Sequence, residues 1–301
     1  MIIIPPFLKF GDTVAIAAPA RKISEQEIQP AVHFLQEAGF RVLFDDRLFA
    51  ECHQFAGDEG IRAGYIQELL DNPDIKAVWF ARGGYGSARI IDQLDFSVFS
   101  RHPKWLVGYS DVTVFHAHVH QQFDIATLHA TMPINVHDGE FDSPANRSLV
   151  DALMGHSLRY EIPKHPLDRI GEFSAPVIGG NLSILYSLMG TPSMPDTDGK
   201  VLFIEDLDEY LYHIDRMMTT LERGGKLKKL AGLIVGHMSD MHDNTIPYGK
   251  DAEEIVAEHC QKYDFPLIFN FPAGHESLNK AIRMGCPMCC HIRNQQIIIE
   301  N

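Results

Sequence analysis

Positive charge is what this sequence has least of. Its 301 residues carry 26 Lys and Arg against 40 Asp and Glu, a formal charge of −14. No basic excess exists to displace counterions from a phosphate backbone, so no nucleic-acid partner is expected. Cysteine is scarce too. Five thiols, with Cys52 and Cys260 isolated and Cys286, Cys289 and Cys290 clustered, are too few and too uneven for a disulfide framework. An odd count in so long a chain suits a reducing compartment. No uninterrupted apolar run approaches the roughly 20 residues that cross a bilayer. Residues 1–10, broken by Pro5 and Pro6, are too short for a signal peptide. The expectation is a cytoplasmic chain with no membrane contact.

What is present describes a globular protein. The apolar fraction is 45% and the charged fraction 22%, near the average for folded domains. The length favours two domains. Short apolar runs alternate with amphipathic stretches: strands are expected over 13–18, 40–44, 75–81 and 105–109, and helices over 24–38, 57–70 and 112–122. Ser24 reads as an N-cap and Gly39 as the residue past the helix end. The stripe Ile61, Tyr65, Ile66, Leu69, Leu70 reads as core. Alternation of this kind predicts an α/β fold with a mostly parallel sheet covered on both faces. The pattern fades over 156–172, where Pro163, Pro166 and mixed charges read as a linker. A second, smaller α/β unit follows, with strands expected at 200–205, 232–236 and 266–271, a helix over 214–223, and β-like alternation from 289 to 299. The domains are thus 1–155 and 173–301.

Four segments carry residues suited to chemistry. In Trp105-Leu-Val-Gly-Tyr-Ser110-Asp-Val112 a serine stands between an apolar strand and a helix. A tight strand-to-helix turn lifts such a hydroxyl out of the sheet and aims helix N–H groups at it, which suits a nucleophile. The alternative is that Ser110 merely caps the helix. The loop Arg82-Gly83-Gly84-Tyr85-Gly86 follows a strand. Its bare N–H groups could hold phosphate or an oxyanion, or the glycines could simply allow close packing. Glu205, Asp206, Asp208 and Glu209 crowd another strand end. Most carboxylates are solvated, but Glu205 abuts the apolar strand and should need a partner, such as a histidine. His275, in Gly274-His275-Glu276-Ser277-Leu278-Asn279, follows a strand and a Pro/Gly turn, at the edge where α/β sheets bind ligands. The order Ser110, Glu205, His275 matches a hydrolase triad.

Two clusters are less informative. His116, His118 and His120 lack the glutamate that a zinc-protease helix places beside its first histidine. Cys286, Cys289, Cys290 and His291 lack a second ligand pair, and buried structural thiols fit better.

Taken together, GDTVAIAAPA, ARGGYGSARI, VGYSD, GGNLSIL, FIEDLDE with IDRMMTTL, and AGHESLN resemble the LD-carboxypeptidases over nearly the whole chain. That family includes murein tetrapeptide carboxypeptidases and microcin C self-immunity peptidases. The resemblance implies Ser110 as nucleophile, Glu205 as the acid and His275 as the base. It also implies an oxyanion hole from the backbone N–H of Asp111 and of Gly84, or else Gly83. Further implications are an active site in the cleft between two α/β domains, a homodimer, no cofactor or metal, and release of a C-terminal D-amino acid from a murein tetrapeptide. Arg82 is the candidate to meet the substrate's free carboxylate, with a structural role as the alternative. The run ESLNKAIRMGCPMCC after His275 departs from the glycine and Leu-Pro-Leu-Gly pattern of relatives, which touches local packing more than the triad. Microcin-type members carry a longer loop with aromatic residues; the two tryptophans here, Trp79 and Trp105, lie on expected core strands, which favours the muropeptide reading. A non-catalytic small-molecule binder and a metallohydrolase built on the histidine cluster are the rivals.

Overall fold

Two sheets share the chain. The computed structural model describes residues 2–293 and 296–301. In the first half β1 (Thr13–Ala17), α1 (Glu25–Glu37), β2 (Arg41–Leu43), α2 (Glu59–Asp71), β3 (Ile75–Phe80), α3 (Ser97–Arg101), β4 (Trp105–Gly108), α4 (Thr113–Phe123), β5 (Thr127–His129) and α5 (Pro144–Met154) alternate. The second half holds β6 (Arg159–Ile162), β7 (Phe173–Asn181), α6 (Leu182–Ser187), β8 (Val201–Leu207), α7 (Leu211–Arg223), β9 (Gly232–Ser239) and α8 (Ala252–Cys260). It ends with β10 (Leu267–Ile268), β11 (Ile282–Met284), β12 (Pro287–Arg293) and β13 (Gln296–Glu300).

The first sheet has the order β11-β5-β4-β3-β1-β2, with β1 to β5 parallel. Its central strands are buried almost throughout, as parallel strands covered on both faces must be. The second sheet has the order β10-β9-β8-β7-β12-β13-β6. Its strands β7 to β10 are parallel, and an antiparallel extension follows. The α/β architecture with a mostly parallel first sheet is the one the alternation predicts. The chain also crosses back: β11, late in the sequence, pairs antiparallel with β5 at the edge of the first sheet.

One buried apolar cluster runs between the two sheets. It includes Trp79 and Trp105 from the first and Phe203 and Phe271 from the second. Fully burying each phenylalanine is worth about 1.5–3 kcal/mol, so this layer holds the halves together. A polar clasp adds orientation: the Asn181 N–H at the end of β7 donates to Thr113 Oγ1 at the start of α4, 3.0 Å away.

Local chemistry sets the helix ends. Ser24 and Glu27 form a reciprocal capping box on α1. Helix α2 starts later than expected because Asp58, not Gly57, is its cap, accepting from the Ile61 N–H. Ile61 is not core; it is 38% exposed, and Arg62 is buried in its place. The stretch read as a linker contains β6, which pairs with β13. Tyr160 and Ile162 are buried while Arg159 and Glu161 are exposed, a period-two signal too short to outweigh the nearby prolines. The expected strands over 40–44 and 266–271 shorten to β2 and β10. The alternation over 289–299 is a hairpin of β12 and β13, with 294–295 outside the described residues.

Candidate active site

Ser110 leaves the end of β4 on a sharp turn. Its φ is +62°, a left-handed conformation that costs a non-glycine residue about 1–3 kcal/mol. A 3-10 turn over Ser110–Val112 then leads into α4. The expectation that Ser110 caps the helix fails. The cap position of α4 is Val112, that of the short turn is Tyr109, and neither has a side-chain cap bond. The strained turn holds the hydroxyl away from the helix amides it would otherwise satisfy. Gly83 is packed onto it, since a Cβ there would lie 2.9 Å from both Ser110 Cβ and Oγ.

The glycine loop is clasped from below. Asp111 is 1% exposed, and its Oδ2 accepts from the Ser87 N–H at 2.8 Å. Burial pushes its carboxyl pKa up, against the pull of the Ser87 and Gly86 bonds and the Arg62 charge. Buried Arg62 donates from Nη1 to the carbonyls of Pro19 (2.6 Å) and Gly86 (3.1 Å). The backbone N–H groups of Asp111 and Gly84 have no acceptor among the described residues.

Glu205 lies in β8 and is 0% exposed. Its Oε2 is 2.7 Å from His275 Nδ1. His275 stands on the loop between β10 and β11, the segment that crosses from one sheet to the other. Gly274 lets that loop close over the carboxylate: a Cβ would meet Glu205 Cβ and Oε2 at 3.2 Å. Asn279 Oδ1 accepts from the Gly274 N–H at 3.1 Å and fixes the turn. The ring of Tyr109 stacks edge-on against His275 at 4.9 Å, and its hydroxyl donates to Asn135 Oδ1 at 3.2 Å. Burial alone would lower the pKa of His275, but the charge and hydrogen bond of Glu205, with Asp206 and Glu276 behind it, outweigh burial and raise it. Burial, and then the neighbouring Glu205, push the Asp206 carboxyl up to about 7.

Ser110, His275, Asp111, Gly83, Gly84 and Arg82 all line one cavity of about 360 Å³. The structure therefore brings together every site residue expected from the sequence except Glu205, which lies behind His275. Arg82 Nη1 is 3.7 Å from Glu27 and donates to the Lys22 carbonyl at 3.3 Å. Sequence reasoning passed over Arg21, Tyr109 and Asn181, which line the same cavity. Arg21 carried one usable signal: a cation in the loop that leaves the first parallel strand, at the ligand-binding edge. A second cavity of about 510 Å³ lies across Tyr109 and His275 and is lined by Glu140, Asp142 and Glu276.

The histidine cluster on α4 diverges. His116 Nε2 pairs with the Gly108 carbonyl (2.9 Å) and His118 Nδ1 with Ser193 Oγ (2.8 Å). Burial pushes His116 and His120 down to about 4. Cys286 and Cys290 are buried free thiols, and Cys289 Sγ lies 3.1 Å from Ser174 Oγ. Among the described residues no group of three or more His, Cys, Asp or Glu is arranged to hold a metal ion, and no helix is long and apolar enough to cross a membrane.

Comparison with known proteins gives concordant matches. The LD-carboxypeptidase N-terminal domain matches residues 14–130 and the LD-carboxypeptidase C-terminal domain residues 174–289. A probable murein peptide carboxypeptidase of Bacillus subtilis is 34% identical over 304 residues, covering 98% of this chain and 94% of that protein. The microcin C7 self-immunity protein of Escherichia coli is 24% identical, covering 97% and 94%. The crystal structure of muramoyltetrapeptide carboxypeptidase from Oxalobacter formigenes superposes with a TM-score of 0.87 at 26% identity, covering 96% of this chain and 98% of that one.

Proposed function

The chain belongs to the LD-carboxypeptidase family of serine-type peptidases, and from that premise we propose that it releases the C-terminal D-alanine of murein tetrapeptides by cleaving an L,D-peptide bond. The observation that carries the reading is the buried Glu205–His275 pair, 2.7 Å apart, opening onto the cavity that Ser110 lines.

The geometry supports the following division of labour. Nδ1 of His275 is committed to Glu205, so Nε2 is the nitrogen left to act as base. Ser110 Oγ attacks the scissile carbonyl while Nε2 takes its proton. Glu205 holds the tautomer and stabilises the imidazolium that forms. The oxyanion is held by the free N–H groups of Asp111 and Gly84, each worth on the order of 3 kcal/mol. Collapse expels D-alanine as its amine, protonated by His275. Water then attacks the acyl-enzyme, with His275 again as base. A homodimer, resting on the family resemblance, and a cytoplasmic location, resting on the composition, are part of the same proposal.

The test is mass spectrometry of the tetrapeptide ending in diaminopimelate–D-alanine, with Ser110→Ala as control. Loss of one alanine with the wild type alone is the expected result. No cleavage by folded wild type overturns the substrate, and aminoacyl-adenylates of the kind met by microcin-type members become the next substrates to assay.

A further inference from the structure

Arg21 stands just past β1, its backbone fixed by a bridge to Phe55. Its methylenes lie across Gly84, where any Cβ would overlap Cγ and Cδ. The side chain is thus laid along the loop that presents the Gly84 N–H, and it lines the cavity shared by Ser110 and His275. Neighbouring cations are occupied: Lys22 pairs with Glu51 at 2.5 Å, and Arg82 faces Glu27. The Arg21 guanidinium has no hydrogen bond or ion pair among the described residues.

We propose that Arg21, rather than Arg82, is the specificity-determining residue that reads the free α-carboxylate of the leaving amino acid. This rests on the carboxypeptidase reading above. An enzyme that removes only a terminal residue must recognise a carboxylate one residue beyond the scissile carbonyl. Successive Cα atoms are about 3.8 Å apart. In the proposed pose the carbonyl oxygen sits at the Gly84 N–H, and the carboxylate one residue on lies in the same cavity, which Arg21 lines beside Gly84. A guanidinium forms a forked ion pair with a carboxylate, whereas a carboxamide offers it one neutral oxygen and a weaker single bond.

The experiment compares the tetrapeptide as free acid and as C-terminal amide, in wild type, Arg21→Met, Arg21→Lys and Arg82→Met. Methionine retains the methylene packing on Gly84 without the charge. In Arg21→Met, kcat/KM for the acid is expected to fall about 30–100-fold, mainly through KM, as for loss of a charge-assisted pair, while the amide changes less than about threefold. Arg21→Lys should keep part of the preference, and Arg82→Met all of it. Should Arg21→Met fail to fold, the lysine variant carries the test: full acid preference there with Arg82→Met selective for neither peptide assigns the role to Arg82. An undiminished acid preference in Arg21→Met overturns the assignment of Arg21 alone. Wild type that cleaves neither peptide overturns the reading beneath it.

Discussion

His275 Nδ1 and Glu205 Oε2 lie 2.7 Å apart although 70 residues separate them in sequence. One comes from a parallel strand of the second sheet, the other from the loop returning to the first. The bond fixes which imidazole nitrogen faces the cavity and which carries the proton. It also leaves a wholly buried carboxylate with that histidine as its hydrogen-bond partner, so both rate and stability should respond when either member changes.

The rate should report the raised pKa of His275. As the base proposed above, His275 works only when neutral, so kcat/KM rises as pH climbs through that value. The acid limb of the wild-type profile is expected above the ordinary histidine value of about 6.5, because Glu205, backed by Asp206 and Glu276, outweighs burial. Glu205→Gln removes the largest of those charges, moves the limb to lower pH, and cuts kcat by about 10⁴-fold through the wrong tautomer. A limb that stays put in the glutamine variant sinks the assignment.

Stability should fall when His275 goes. Histidine-to-alanine at 275 strands Glu205, which is 0% exposed and whose Oε1 already lacks a partner among the described residues. Breaking a buried pair from one side costs about 3–5 kcal/mol. A histidine with a raised folded pKa contributes fully below its unfolded value of about 6.5 and loses that contribution as pH rises through the folded value. The gap between wild type and variant should therefore be larger at pH 6 than at pH 9 in urea unfolding. A cost under about 1 kcal/mol at pH 6 argues against a buried ion pair.

Ser110 should trade stability for activity. Its φ of +62° is strained. Ser110→Gly relieves that strain, so the variant should unfold about 1 kcal/mol less readily and yet lose turnover about 10⁶-fold, as for removal of a triad nucleophile. Thermal unfolding and a peptide assay check the two halves separately. A glycine variant that is both active and no more stable contradicts the turn's proposed purpose.

Much of this arrangement is legible in the chain before folding, for identifiable reasons. The strand-to-helix turn at Ser110 announces itself through an apolar run ending in Gly-Tyr-Ser. Glu205 announces itself as a carboxylate joined to a strand with no room for water. What sequence hides is pairing at a distance. The apolar stripe of the second helix takes in Ile61 and passes over Arg62, yet it is Arg62 that is buried, donating to the Pro19 and Gly86 carbonyls. Tyr109 reads as strand, and only the return of the 270s segment makes it the stacking partner of His275. β6 is invisible because four alternating residues running into Pro163 and Pro166 carry too little pattern without β13 to pair with.

The last expectation concerns the carboxyl group of Asp111, as distinct from its backbone N–H. Oδ2 accepts from the Ser87 N–H at 2.8 Å and so ties the glycine loop to the turn that carries Ser110. Without that acceptor the loop is free to move, and in the proposed mechanism the Gly84 N–H no longer meets the oxyanion at a fixed place. Loss of one oxyanion donor costs roughly 10²–10³-fold in kcat. Asp111→Ala should show that loss with KM nearly unchanged, because the donor matters only once charge develops on the oxygen. Asp111→Asn keeps a carbonyl oxygen for Ser87 and should retain most of the rate. Steady-state kinetics on the tetrapeptide separate the two variants. If alanine and asparagine lose activity equally, the charge of Asp111 rather than its hydrogen bond to the loop is what matters. If alanine leaves kcat within about threefold of wild type, the loop is held without it, and Arg62 alone supplies the clasp.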